Sequence, residues 1–501
     1  MSTSPSAVDD YPDFPKTSSP TRSKINDFGG VKEFDLEKTI PPTNEHRTLV
    51  LCFDGTGAAY GSTMIDTCRN SNVINFFTML KKADESQQLV YYQAGIGTYS
   101  IPEVAHPKLA KLHRTLDAML GSHLNAHVMG GYEFLMQNYQ YGDKICLFGF
   151  SRGAYTARAL AGMIQKVGLL PKCNHQQVPF AYKMYSREDE TGWRQSTAFK
   201  KAFAIDVDIE LVAVWDTVSA VELVPRRLPF TRSNTNVRYL RHAIALDEHR
   251  ARFQPNFWNR PTQDELQLGI QAGEMPKSRR KLSTMKSLKD LEKQYTDGGQ
   301  YATHVEEVWF AGCHCDVGGG ALSNTARNSL ARIPLRWMIS IRQCFLLETG
   351  ILFHGEMLRL IGVDPATLYP RVLPLPPALL EFPKDTQRTT PTAAVAVADC
   401  NFRNEEEEDL ADALTPINDE LKRVKLWWIL EFLPQKLRFH DSDDSWTRKL
   451  EYVWISSSHH VLQLQTSHGV KMHRTVKLRM DATEYHPKAK LKRSTKPTWV
   501  D

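Results

Sequence analysis

A serine hydroxyl becomes a nucleophile only when a base takes its proton, and an imidazole base works best when a carboxylate fixes its tautomer. Ser151 has the strongest claim to that chemistry, because it sits in Gly149-Phe150-Ser151-Arg152-Gly153, a G-x-S-x-G. A strand turning sharply into a helix around such a serine lifts the hydroxyl above the sheet edge. Gly149 and Gly153 let the neighbouring chains approach, and the helix N-terminus points at any oxyanion formed there. The acid and the base are expected further on, in the order Ser, acid, His. Asp216 and His314 satisfy that order, with Asp247 as the rival acid and His242, His249 and His354 as rival bases. Asp247 lies in a charged run that also reads as a helix surface, whereas Asp216 directly follows an apolar run. His314 stands in a Gly-rich loop just past another such run.

The oxyanion needs two donors. The backbone N–H of Arg152 supplies one, and Gly55 or Thr56, in the loop after the earliest strand, the other. Asp54 either braces that loop through backbone hydrogen bonds, the favoured reading, or joins Asp316 in binding a cation. Cys313 and Cys315 flank His314, but no second Cys/His pair completes a tetrahedron, so neither a metal nor a cofactor is expected.

These residues must be placed by the elements before them. Thr48 to Phe53, Gln88 to Gln93, Ile145 to Phe150, Ile209 to Trp215 and Glu306 to Gly312 are short apolar runs that end in glycines or polar turns. Between them, Asn72 to Lys81, His123 to Tyr139, Arg152 to Lys166, Asn236 to Glu248 and Pro334 to Thr349 read as helices. Strands alternating with helices predict an α/β fold of the α/β-hydrolase type, a mainly parallel sheet with helices on both faces. Ligands of such sheets bind at the carboxyl ends of the strands. Asp54, Ser151, Asp216 and His314 all fall there, although they are scattered over the chain.

The 501 residues, 42% hydrophobic and 24% charged, describe a globular protein with a large core, and a net charge of +5 is too mild to argue for nucleic acid. Eight cysteines without a CxxC pair read as reduced thiols in a reducing compartment, hence a cytoplasmic protein. The N-terminus lacks the basic patch and apolar core of a signal peptide, and no stretch of 18 apolar residues is present. Residues 1–45 read as a disordered leader, 46–369 as the catalytic domain with a charged insertion at 264–299, and 370–420 as a flexible Pro/Ala-rich and acidic excursion. Residues 421–501 form a C-terminal extension packed on that domain, in which Val470 to Met480 alternates like a strand. Its Trp427-Trp428-Ile429-Leu430 and Phe432-Leu433 cluster either packs inward, the favoured reading, or makes peripheral contact with a membrane alongside the basic run Lys277-Arg279-Arg280-Lys281 with Lys286 and Lys289.

CFDGTG, YYQAGIGT, GFSRGAYTARALAGMI, VWDTVSA, HAIALDEHRARF, VWFAGCHCDVGGG and IPLRWM, in that order between Arg47 and Gly350, resemble the α/β-hydrolase family that includes the catalytic domain of bacterial type VI secretion phospholipase effectors. LWWILEFLP and VKLRMDATEYHPKAKL extend a weaker likeness. The resemblance implies esterase activity on glycerophospholipids with a Ser-Asp-His triad, carried here onto Ser151, Asp216 and His314. The expected function is therefore a serine hydrolase acting on an ester or lipid substrate. The alternatives are a small soluble ester or thioester as substrate, and an idle hydrolase fold that binds protein. The excursion from Pro370 to Glu420 and the basic insertion near Arg279 match nothing in the family pattern.

Overall fold

The structure, a computed structural model, describes residues 39–55, 69–95, 124–218, 228–258, 303–339, 347, 349–369, 371–381, 404–424, 427–428, 435–440, 446–451, 469–489 and 496–501. Eight strands form one sheet: β1 (Thr48–Phe53), β2 (Gln88–Gln93), β3 (Lys144–Phe150), β4 (Ile209–Trp215), β5 (Val237–Ala245), β6 (His304–Phe310), β7 (Val470–His473) and β8 (Pro497–Val500). Their order is β8-β7-β6-β5-β4-β3-β1-β2, and every pairing is parallel. β1 is buried along its whole length, with Val50 between Val90 and Cys146. A strand covered on both faces loses alternation and keeps only apolar content, which is why TLVLCF reads as an unbroken run.

Helices supply both covers. On one face α2 (Leu124–Asn138), α3 (Ser151–Val167), α4 (Val178–Ser186) and α5 (Glu190–Phe203) enclose a core that includes Leu135, Leu160, Tyr185 and Phe199. On the other, α1 (Asn72–Met79), α7 (Arg332–Ile339), α8 (Gly355–Leu360), α9 (Glu405–Ala413) and α10 (Arg474–Ala482) bury Phe76, Trp337, Leu358, Leu410 and Val476. A short helix α6 (His314–Gly318) follows β6. The chain leaves β1 toward β2 and returns across it to β3, so the strand order reverses between β1 and β3. Open α/β sheets bind ligands at such a reversal, outside the carboxyl ends of the strands.

Several expectations are corrected. Asn236 to Glu248 is not helical: Val237–Ala245 is the central strand β5. Its apolar residues at three- and four-residue spacing imitate a helix, and its buried Arg241 and His242 are satisfied across the sheet by Glu306 and Glu307. Val470 to Met480 is a four-residue strand followed by helix α10. Residues 39–45 are not disordered, because Thr39 and Ile40 pair with His354 and Phe353, and Asn44 donates to the Gly350 carbonyl. The acidic run after Asn404 is no flexible excursion but helix α9, with Asn404 as its N-cap and Glu405, Glu406, Glu408 and Asp409 buried. The rest of the leader, the insertion at 264–299 and most of the Pro/Ala-rich stretch lie outside the described residues.

Candidate active site

β3 ends at Phe150 and α3 begins at Ser151, whose φ of 58° lies in the left-handed region that a non-glycine residue occupies only under constraint. Two glycines make that constraint affordable. A Cβ on Gly149 would stand 2.6 Å from the Gly153 carbonyl oxygen, and one on Gly153 would stand 2.2 Å from that of Phe53 and 2.4 Å from that of Asp54. The elbow is therefore pressed directly onto the end of β1, and Ser151 is 5% exposed.

Asp216 follows β4 and also has a positive φ, 39°. Its Oδ1 accepts from the Ala245 amide at 3.1 Å, and its Oδ2 lies 2.6 Å from His314 Nδ1. The next amide, Thr217, donates to His242 Nε2 at 3.1 Å, which leaves the His242 proton on Nδ1, 3.0 Å from Glu307. His242, a rival base, thus holds the bend that carries Asp216 from a site buried inside the sheet.

His314 opens α6, and its amide donates to Glu248 Oε2 at 3.2 Å. The imidazole lies between Phe150, 4.6 Å away by ring centroids, and Phe253, 4.8 Å away and edge-on. Glu248 pairs with Arg250 at 2.8 Å, and the guanidinium lies 3.5 Å over Phe253 and 4.9 Å over Trp427. Burial pushes the Glu248 carboxyl up, but the charge and hydrogen bonds of Arg250 outweigh it and hold the carboxyl well below its usual range. Sequence reasoning missed this support, although the stretch DEHRARF carried it.

The structure brings Asp216 and His314 into a hydrogen bond, and it places Ser151 one residue from the ring that touches the imidazole. Among the described residues no hydrogen bond joins Ser151 Oγ to His314. Asp247 is engaged elsewhere: it accepts from the Gly312 and Lys488 amides and from the Tyr485 hydroxyl. His249 pairs with Asp419, and His354 sits in the small ladder opposite Thr39.

Gly55 requires a correction. Its amide donates to Asp54 Oδ1 at 2.6 Å, so that N–H is committed and is not a free oxyanion donor. Thr56 lies outside the described residues. Asp54 also accepts from Tyr92 at 2.8 Å, and burial raises its pKa to about 6 against hydrogen bonds from Ser71, Tyr92 and Gly55. Asp316 accepts from the Cys313 amide and from the Asn418 amide and side chain. Both carboxylates brace loops. Among the described residues no group of three or more His, Cys, Asp or Glu side chains is placed to hold a metal ion.

A parallel eight-stranded sheet with helices on both faces and a strained serine at a strand-to-helix elbow define an α/β-hydrolase-like protein. The family model described as the catalytic domain of Tle1-like phospholipase effectors of the type VI secretion system matches residues 47–341, and the chain belongs to that family. It is 25% identical to the uncharacterised protein YEL023C of Saccharomyces cerevisiae, over 84% of this chain and 78% of that one. Among solved structures, it is similar to an uncharacterised protein from Pseudomonas aeruginosa, with 18% identity and a TM-score of 0.33 over 63% of this chain and 47% of the other. A Tle1 effector bound to the VgrG spike of the type 6 secretion system shares 15% identity, with a TM-score of 0.27 over 57% of this chain and 53% of that one. The chain therefore spans about half the length of each of these two structures.

Proposed function

We propose that this protein is a serine hydrolase that cleaves carboxylic esters of lipids, phospholipids foremost, with Ser151 as nucleophile, His314 as base and Asp216 as the acid that orients it. The observation that carries the reading is the 2.6 Å contact between Asp216 Oδ2 and His314 Nδ1, which reach each other past the end of β5 from the carboxyl ends of β4 and β6. With Nδ1–H kept on the ring and donated as a hydrogen bond to Asp216, Nε2 has its lone pair free to take the Ser151 proton, which makes the imidazolium. Ser151 Oγ attacks the ester carbonyl. The Arg152 amide, in the first turn of α3, donates to the oxyanion where the helix dipole favours negative charge. The imidazolium then protonates the departing alcohol, and water, deprotonated by the same Nε2, releases the acid from the acyl-enzyme.

The choice of a lipid ester rests on family membership, since the family is described by the catalytic domain of Tle1-like phospholipase effectors. No helix among the described residues is long and apolar enough to cross a membrane, so lipid would be met at a surface. Trp427 is taken up by packing on Phe253 and Arg250, and Trp428 donates to the Leu421 carbonyl. These contacts support the packing alternative for the two residues. Residues 429–434 and the basic run near Arg279 lie outside the described residues. In assays of fatty-acid release from phospholipid vesicles, the wild type should be active and Ser151→Ala reduced by several orders of magnitude with an unchanged thermal melt. Equal release by both proteins would exclude Ser151 as the nucleophile.

A further inference from the structure

Seven arginines are buried among the described residues: Arg152, Arg158, Arg241, Arg250, Arg336, Arg474 and Arg479. Six have acceptors. Arg250 pairs with Glu248, Arg336 with Asp409 and Asp412, Arg474 with Asp409, and Arg241 with Glu306. Arg158 donates to the carbonyls of Thr231, Asn256 and Phe257, and Arg479 to those of Ala413 and Thr415. The guanidinium of Arg152 has neither an ion pair nor a hydrogen bond among the described residues, although the residue is only 5% exposed. A buried cation without an anion is costly, and proteins of this size ordinarily supply one. Burial, with no opposing charge, lowers the Arg152 pKa to about 10.

The position of Arg152 says where its partner comes from. It is the second residue of α3, a helix of 17 residues, and directly follows Ser151. Cα–Cβ bonds tilt toward a helix N-terminus, so this side chain leaves the backbone toward the turn that carries Ser151. The same end of the helix is where its dipole favours an anion.

We propose that the Arg152 side chain recognises an anionic oxygen group, phosphate or carboxylate, carried by the substrate close to the ester that Ser151 attacks. This rests on the serine-hydrolase reading and narrows its substrates to acidic or phosphate-bearing esters. Arg is suited to the task, because its planar fork binds such groups through two parallel charge-assisted hydrogen bonds.

Two arms test it, both with soluble short-chain compounds so that no lipid interface intervenes. In the first, kcat/KM is compared for dibutanoyl phosphatidic acid against dibutanoylglycerol, and for p-nitrophenyl hemisuccinate against p-nitrophenyl butyrate. The wild type should prefer the anionic member of at least one pair, and the pair identifies the anion as phosphate or carboxylate. Arg152→Gln should reduce that preference by about 10- to 100-fold, with part of it restored in Arg152→Lys. A preference that is absent from the wild type, or identical in Arg152→Gln, overturns the proposal. In the second arm, calorimetry measures binding of sn-glycerol 3-phosphate and of succinate to Ser151→Ala and to Ser151→Ala/Arg152→Gln. Binding of either anion that is lost in the double variant supports the proposal even if the wild type cleaves no ester, so failure of the hydrolase reading is seen separately. Binding that survives in the double variant overturns it. If Arg152→Gln fails to fold, competitive inhibition of wild-type p-nitrophenyl butyrate hydrolysis by inorganic phosphate or succinate decides, and no inhibition by either overturns it.

Discussion

Asp54 carries a residue-level consequence that concerns stability more than chemistry. Its carboxyl is buried between the Gly55 amide and the Tyr92 hydroxyl, and its pKa rises to about 6 because burial penalises the charged form. A carboxyl whose folded pKa exceeds its unfolded value binds its proton more tightly in the native state. The stability this contributes is present below the ordinary carboxyl pKa and is lost as pH climbs through about 6. Asp54→Asn keeps an acceptor for the Gly55 amide and a polar contact with Tyr92 but carries no titrating charge. Between pH 4 and 6 the wild type should therefore lose on the order of 2–3 kcal/mol relative to Asp54→Asn, measured by urea denaturation at a series of pH values. Parallel pH profiles for the two proteins would show that Asp54 titrates normally. Asp54 was visible in the sequence as a residue in a Gly-rich turn. Its commitment of the Gly55 amide was not, because that depends on which way a short side chain folds back.

At the scale of elements, the site exists where the elbow of β3 and α3 meets the short helix α6 after β6. Gly318 is the point of contact: a Cβ there would stand 1.8 Å from the Phe150 ring, which also meets the Gly55 position and the His314 imidazole. Gly318→Ala must displace that ring, and Phe150 is bounded on the other sides. The expected outcome is a stability loss of about 1–3 kcal/mol in urea and, because the imidazole moves with the ring, a fall in esterase activity of at least about tenfold. Normal activity in a destabilised Gly318→Ala would separate packing from catalysis. What was legible here follows from locality. The elbow, β1 and the strand end before Asp216 are encoded by neighbouring residues, so GFSRG and apolar runs disclose them. β5 was misread because Val237, Leu240 and Ile244 repeat at helical spacing while their burial comes from strands on either side. α9 was misread because a run of four glutamates looks solvated until its counter-charges are known. Those lie at Arg327, Arg332, Arg336 and Arg474, far away in the sequence.

On the scale of the whole molecule, the same charges join α9 to helices α7 and α10, which cover one face of the sheet. Arg336 on α7, 1% exposed, contacts Asp409 at 2.6 Å and Asp412 at 2.7 Å, while Arg474 on α10 reaches Asp409 at 3.2 Å. Burial pushes the Asp409 carboxyl up, but Arg336 outweighs it and holds it below its usual range. Removing the cation strands two buried carboxylates, so Arg336→Met should cost about 3–5 kcal/mol in urea unfolding, with part recovered in Arg336→Met/Asp412→Asn. A loss under about 1 kcal/mol would mean that the pairs are not buried as described. Through Asn418 on Asp316 and Trp427 on Phe253, the segment that follows α9 also reaches the loops around His314. The central proposal is that Ser151 is a nucleophile activated by His314 and Asp216. Labelling the purified protein with a fluorophosphonate and mapping the adduct by mass spectrometry tests it most directly. The account predicts one adduct, on Ser151, forming about 10³-fold or more slowly in Asp216→Asn. No adduct on Ser151 in the folded wild type, or one that forms equally fast in Asp216→Asn, would contradict it.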